Sequence, residues 1–277
     1  MSETWDKGSH PDMPKVTAVG WMRIVLRAAV LIVLVFGGLI VLLLVRLFER
    51  PLHGLHRPVT PFITQFVCRN AFRVLGMRIL VTGTPMAGRG AVVANHSSWL
   101  DIFSLNAAKR IYFVSKSEVA SWPGIGWLAR ATGTVFIERN PARARSQTEL
   151  FQQRMLAGHK LLFFPEGTST DGLQVLPFKT TLFQSFFADE LRDEIQIQPV
   201  AVIYHAPAGM DSRFYGWWGS MEFATHLLAT LAPARQGSVE VVYGTPLKVS
   251  EFENRKTIAA ACEQAVRKAH TAALPSN

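Results

Sequence analysis

Between Arg27 and Arg46 the chain runs for 18 residues, Ala28–Val45, without a single charge, and Val, Leu and Ile dominate the run. As a helix this stretch rises about 27 Å, just enough for a hydrocarbon core of about 30 Å. Arg23 and Arg27 precede it and Arg46 and Arg50 follow it, so basic residues flank both ends and leave the orientation open. A secretory signal has a shorter apolar region and small residues at its cleavage site, and Leu47-Phe48-Glu49-Arg50-Pro51 offers none. The run therefore predicts a retained membrane anchor. The competing expectation is a core helix, which the length of the run disfavours.

The rest of the chain reads as folded protein. Of 277 residues, 49% are hydrophobic and 18% are charged, which excludes disorder over most of the length. Twenty-nine Lys and Arg against 20 Asp and Glu give a net charge of +9, which points to an anionic partner, either nucleic acid or a membrane surface. Cys68 and Cys262 are the only cysteines, too few for a disulfide framework and consistent with reduced thiols in a cytosol.

Three segments are expected: residues 1–20 as a disordered tail, 21–77 as a helix pair that opens with the anchor, and 78–277 as an α/β domain. Pro51, Gly54 and Pro58 break the chain after the apolar run. The second helix of the pair, Thr60–Leu75, places Phe62, Ile63, Phe66, Val67, Ala71, Val74 and Leu75 at helical spacing. Such a helix can lie in the membrane interface or pack on the domain, and the pattern alone does not choose.

From Arg78 onward the periodicity changes. Apolar runs predict strands at Arg78–Val81, Ala91–Ala94, Ile111–Val114, Thr134–Ile137, Leu161–Phe164, Ile197–Tyr204 and Val239–Tyr243. Helical patterns lie between or after them at Arg143–Ala157, Phe183–Leu191 and Glu253–His270. Alternating strands and helices predict an α/β fold with a single mixed, largely parallel sheet flanked by helices.

Two loops carry the chemistry. Asn95-His96-Ser97-Ser98-Trp99-Leu100-Asp101 follows a strand directly, at the carboxyl end where open α/β sheets build their sites. Asp101 stands five residues after His96, within folding-back distance of its ring. An imidazole bonded to a carboxylate has a fixed tautomer and raised basicity, as a general base near neutral pH requires. The second loop, Phe164-Pro165-Glu166-Gly167-Thr168-Ser169-Thr170, also follows a strand and can open on the same side. Gly167 permits close backbone approach, while Glu166, Thr168 and Ser169 offer polar groups to a ligand. Between the two, Glu138-Arg139 ends another strand; alone it reads as an exposed ion pair.

In this order the segments resemble the lysophospholipid acyltransferase family, over roughly Arg78 to Tyr204. The matches are N-H-x4-D at Asn95–Asp101, F-I-x-R ending at Arg139, F-P-E-G-T at 164–168, the Leu176-Pro177-Phe178-Lys179 stretch, and Gln198-Pro199-Val200-Ala201. The resemblance implies an acyltransferase in which His96 takes the acceptor's hydroxyl proton and Asp101 orients the ring. The donor is then an acyl thioester of acyl carrier protein or coenzyme A, the acceptor is a lysolipid, and neither metal nor cofactor is expected. It implies that Arg139, Glu166, Gly167, Thr168, Ser169 and Lys179 hold the acceptor, and that the amino-terminal helix pair seats the enzyme on a bilayer. The chain departs from the family at Ser169, where Arg usually follows Glu-Gly-Thr. Serine cannot replace a guanidinium's bidentate grip on phosphate. With Ser169-Thr170-Asp171-Gly172 and the aromatic Arg213–Trp218 run, the chain looks like the lyso-ornithine lipid O-acyltransferase branch. That implies bacterial origin and an inner-membrane enzyme with its domain on the cytoplasmic side. The alternative acceptor is 1-acylglycerol-3-phosphate, with both activities in one enzyme also open.

Other signals fail on context. Gly124-x-Gly126-x-x-Ala129 fits a dinucleotide pattern but follows Ser121-Trp122-Pro123 instead of a strand, and reads as an apolar turn. No G-x-S-x-G, H-E-x-x-H or P-loop sequence is present, and no cysteine sits in a ligand cluster. His53, His56, His159 and His205 match no motif. A basic lipid- or nucleic-acid-binding protein leaves the ordered motifs unexplained and has no nucleic-acid module. A lipid hydrolase, in which water replaces the acceptor, is the third option.

Overall fold

Along the central strands, successive residues feed two different apolar layers. Val92 and Ala94 join a cluster with Cys68, Phe72, Leu105 and Leu231, whereas Ala91 and Val93 join one with Phe151, Met155, Ile258 and Cys262. A strand buried on both faces needs helices on both sides, and this is what the chain builds. The computed structural model describes residues 5–7, 9–12, 15–138 and 144–274.

The elements run α1 (Ala18–His53), α2 (Thr60–Leu75), β1 (Arg78–Thr82), β2 (Gly90–Ala94), α3 (Asp101–Ala108), β3 (Tyr112–Lys116), α4 (Ile125–Thr132) and β4 (Val135–Ile137). They continue with α5 (Ala144–Leu156), β5 (Leu161–Phe163), α6 (Asp189–Arg192), β6 (Gln196–His205), α7 (Phe223–Leu231), β7 (Ser238–Tyr243), β8 (Leu247–Lys248) and α8 (Arg255–Ala273). The strands form one sheet in the order β1-β7-β6-β2-β5-β3-β4, with β8 on β6. β2 pairs in parallel with both β5 and β6, and β3 in parallel with β4 and β5; β7 and β8 run antiparallel to β6. The expected mixed, largely parallel sheet is therefore present.

Local expectations fail at three places. Phe183–Leu191 is not one helix: a 3-10 turn spans Leu182–Phe187, extended Ala188 interrupts it, and α6 follows. Phe183 and Phe186 wedge against Phe163, so aromatic packing sets this backbone. The apolar turn expected at Gly124–Ala129 is the start of α4, opened by Gly124 at φ 72°. At the end of the apolar run, α1 continues past Pro51 to His53 and stops on Gly54 at φ 57°. So close to the helix end, proline's missing N–H costs a single hydrogen bond.

Only 6% of the most apolar window of α1 is buried, which excludes the core-helix expectation. α2 answers its own ambiguity with two faces. Phe72 and Leu75 are buried toward α3 and the sheet, each contributing about 1.5–3 kcal/mol, while Phe62 and Phe66 are exposed. The pair is joined by Glu49, near the end of α1, whose carboxylate accepts from the backbone N–H of Val59 (2.7 Å) and Thr60 (3.0 Å) at the start of α2. A carboxylate there satisfies orphan donors and meets the positive helix end.

Near its other end α1 is bonded to the α/β domain itself. Arg27 donates to the carbonyls of Leu231 and Pro233, both at 2.7 Å, and Arg23 donates to Ala232. These are carbonyls at the carboxyl end of α7, where a cation is favoured. The amino-terminal segment also departs from a free tail. Trp5 and His10 pack against Trp218, with ring centres 5.9 and 5.2 Å away, and Arg213 donates to the Ser9 carbonyl at 2.9 Å. Aromatic burial anchors these residues despite their polar neighbourhood.

Candidate active site

Because β2 and β5 are parallel neighbours, with Ala91 opposite Leu161, the loops that leave their carboxyl ends emerge side by side. The β2 loop is braced first by Asn95, whose amide donates to the Val202 carbonyl and accepts from the Val202 N–H, both at 2.8 Å. This side chain extends the β2–β6 ladder by one rung and holds the next residue, His96, at the sheet's edge.

His96 Nδ1 lies 2.7 Å from Asp101 Oδ2. The same oxygen accepts from the backbone N–H of Ser97 (2.8 Å) and Ser98 (3.1 Å). Asp101 thus bonds the His96 ring and braces the start of α3 at once. Three donors converge on it, so Nδ1 carries the proton and Nε2 keeps the free lone pair, a tautomer assigned from the hydrogen bonds. Asp101 is wholly buried, while the His96 side chain retains 21% exposure. Behind them Tyr204 is buried beside Ser104 and Asp101, and burial together with the Asp101 charge pushes its phenol well above the usual range.

The β5 loop closes around this histidine. Phe164 stacks on the imidazole, ring centres 4.1 Å apart, and the Thr170 N–H donates to the His96 carbonyl at 2.9 Å. Gly167 turns the loop with φ 74°, a left-handed conformation that favours glycine. Thr168 and Ser169 are half-buried, and the Thr168 hydroxyl accepts from the Trp5 N–H at 3.4 Å. Glu166 is different: its carboxyl is buried, and burial pushes its pKa well above the usual carboxylate range. Lys179 is exposed, with its backbone N–H on the Pro165 carbonyl at 2.9 Å. The structure therefore brings His96, Asp101 and the 166–169 loop together and ties the Lys179 stretch to that loop; Arg139 lies outside the described residues.

Several residues of the site have structural roles that the motifs do not announce. Asn95 and Phe164 sit inside the quoted segments without a recognisable role, and Tyr204 lies 103 positions after Asp101. The Trp217 N–H donates to the Ser97 carbonyl at 2.8 Å, so the aromatic 213–218 loop also borders the site. No group of three or more His, Cys, Asp or Glu able to hold a metal occurs among the described residues. The arrangement is suited to general-base catalysis: an oriented imidazole with one free nitrogen, at the mouth of a loop offering hydroxyl and backbone groups.

The family model described as Acyltransferase matches residues 78–203. A lyso-ornithine lipid O-acyltransferase from Rhodobacter capsulatus is 60% identical over 257 residues, covering 93% of each chain. One from Brucella abortus is 35% identical, covering 90% of this chain and 94% of that one. Among solved structures, the 1-acyl-sn-glycerophosphate acyltransferase PlsC from Thermotoga maritima superposes with a TM-score of 0.63 at 20% identity, covering 94% of this chain and 97% of that one. At that identity the likeness is one of fold.

Proposed function

The chain belongs to the acyltransferase family and acts on lysolipids, and on that premise we propose that it acylates the free hydroxyl of lyso-ornithine lipid with His96 as general base. The observation that carries the acceptor is the 60% identity to a lyso-ornithine lipid O-acyltransferase across nearly all of both chains. Ser169 supports it, since a loop without the usual arginine lacks a bidentate partner for a phosphate head group.

The chemistry follows from the tautomer. The acceptor hydroxyl donates to His96 Nε2 as its oxygen attacks the thioester carbonyl of acyl carrier protein or coenzyme A. The imidazolium is stabilised by Asp101 at 2.7 Å. Collapse of the tetrahedral intermediate breaks the carbon–sulfur bond, and the imidazolium returns its proton to the leaving thiolate. Ester and thiol are the products, and no acyl-enzyme is formed.

In this reading residues 21–77 seat the enzyme on the bilayer and 78–277 form the catalytic domain. A helix bonded near its start to the domain through Arg23 and Arg27, and near its end through Glu49 to α2, which itself packs on α3, supports a seat within one leaflet. The bacterial inner membrane, with the domain on the cytoplasmic side where acyl thioesters are made, is the proposed location.

The test is direct. Purified enzyme in detergent receives a labelled acyl thioester with lyso-ornithine lipid, lysophosphatidic acid or no acceptor. Transfer to lyso-ornithine lipid is expected to dominate. Preference for lysophosphatidic acid overturns the acceptor, and thioester release without acceptor points to a hydrolase.

A further inference from the structure

Trp5 and its neighbours have partners in two loops that border His96. One is the β5 loop, where the Trp5 N–H donates to the Thr168 hydroxyl at 3.4 Å. The other is the aromatic loop after β6, where the rings of Trp5 and His10 pack on Trp218 and Arg213 donates to the Ser9 carbonyl. Asp6 lies so close to Gly219 that a Cβ there would meet its carboxylate at 2.0 Å. His10 Nε2 in turn lies 3.4 Å from Asp6 Oδ1, which ties the segment to itself. With these neighbours Trp218 is buried to 2% exposure. Both loops are also bonded to the β2 loop, through Thr170 N–H on the His96 carbonyl and Trp217 N–H on the Ser97 carbonyl.

The bond to Thr168 has a chemical consequence. A hydroxyl that accepts from a backbone N–H keeps its own hydrogen to donate. Its partner within the chain is the neighbouring Ser169 carbonyl at 3.4 Å, a long bond that a charged oxygen readily replaces. We propose that Trp5 is a positioning residue for the acceptor. With His10 it straps the β5 loop to the 213–219 loop, and its N–H leaves the Thr168 hydroxyl to donate to an anionic oxygen of the acceptor's head group. This rests on the reading that residues 166–169 hold the acceptor. The identity of that acceptor is tested separately, by the wild-type enzyme's choice of lysolipid, and the strap is measured on whichever acceptor the wild type prefers.

Full-length wild type, Trp5→Phe, Trp5→Ala and the Trp5→Ala/His10→Ala double variant are compared in detergent, with acceptor and acyl thioester varied in turn. Alanine keeps the N–H but frees the segment that presents it, whereas phenylalanine still packs on Trp218. Trp5→Ala is expected to raise acceptor KM about fivefold and the double variant about tenfold or more. In both, kcat should stay within about threefold and thioester KM should not change. Trp5→Phe should lie close to wild type. An unchanged acceptor KM in the double variant would make the strap a passive packing element and overturn the proposal. A lower acceptor KM would overturn it too, since the segment would then obstruct the site, and so would a rise confined to thioester KM. Should the double variant fail to fold, Trp5→Ala alone decides by the same readings.

Discussion

The imidazole of His96 lies face to face with the ring of Phe164, with centres 4.1 Å apart and planes 12° from parallel. The bond to Asp101 holds the imidazole through one nitrogen, and the stack blocks its rotation about that bond. Phe164→Ala removes the second restraint and leaves the first. Turnover should fall about 10- to 100-fold with acceptor KM nearly unchanged, while Phe164→Leu recovers part of the loss. Steady-state kinetics on the three enzymes checks this.

For the base itself, His96→Ala should lower kcat by about 10²–10⁴ in a protein that still folds and binds membrane. Asp101→Asn should also fall steeply, because the amide would offer a donor where His96, Ser97 and Ser98 all donate. Near-normal turnover in His96→Ala would falsify the mechanism.

Acceptor choice can be read from Ser169. Placing Arg there gives a phosphate up to two charge-assisted hydrogen bonds, each worth about 1.5–3 kcal/mol. Ser169→Arg should shift the kcat/KM ratio of lysophosphatidic acid to lyso-ornithine lipid about tenfold or more toward the phosphate. The two acceptors compete in one assay, so a general loss of activity does not disturb the ratio.

The seating of α1 makes a topological prediction. Val19 and Leu52, near opposite ends of the helix, are 54% and 75% exposed, and both native cysteines are buried. Val19→Cys and Leu52→Cys should therefore react selectively with a membrane-impermeant thiol reagent, and from the same side of oriented vesicles. Labelling from opposite sides would establish a span.

Acid should destabilise the fold through buried imidazoles. Burial pushes His226 down to about 4, and it accepts from Trp99 Nε1 at 3.0 Å. The unfolded chain binds the proton at about 6.5, so His226 contributes fully above that value and loses its contribution as pH falls toward 4, at most about 3 kcal/mol. His159, pushed to about 3 by burial and by Arg154 and Arg57, acts in the same direction. Denaturant midpoints for His226→Gln should be flatter than wild type between pH 6.5 and 4.

How much of this was legible before the fold was known depends on range. The His96–Asp101 pairing is local, five residues apart and framed by a strand and a helix, so spacing exposes it. The layered sheet follows from apolar runs of strand length. The grip of Phe164 on His96 depends on β5 lying beside β2, and sheet order is a tertiary outcome that no local pattern encodes. Tyr204 reaches Asp101 only because β6 flanks β2 on the other side. α4 was hidden by Gly124 and Gly126, which read as turn residues, although Gly126 sits where an added Cβ would meet the Ala120 carbonyl at 2.2 Å. The Glu166 side chain reads in sequence as one more polar group of an open loop, and its burial to 2% exposure appears only in the fold.

The bonds from Arg27 to Leu231 and Pro233 join residues 204 and 206 positions apart. During synthesis the apolar helix thus waits for its partner carbonyls through some 204 residues of translation, about 10–40 s at typical bacterial-to-eukaryotic rates. The apolar run itself stays almost wholly uncovered by the chain, during this interval and after it, and must be shielded by lipid or by a chaperone. If lipid does it, the membrane is the first surface this protein meets, and the α/β domain assembles afterward against a helix already in place.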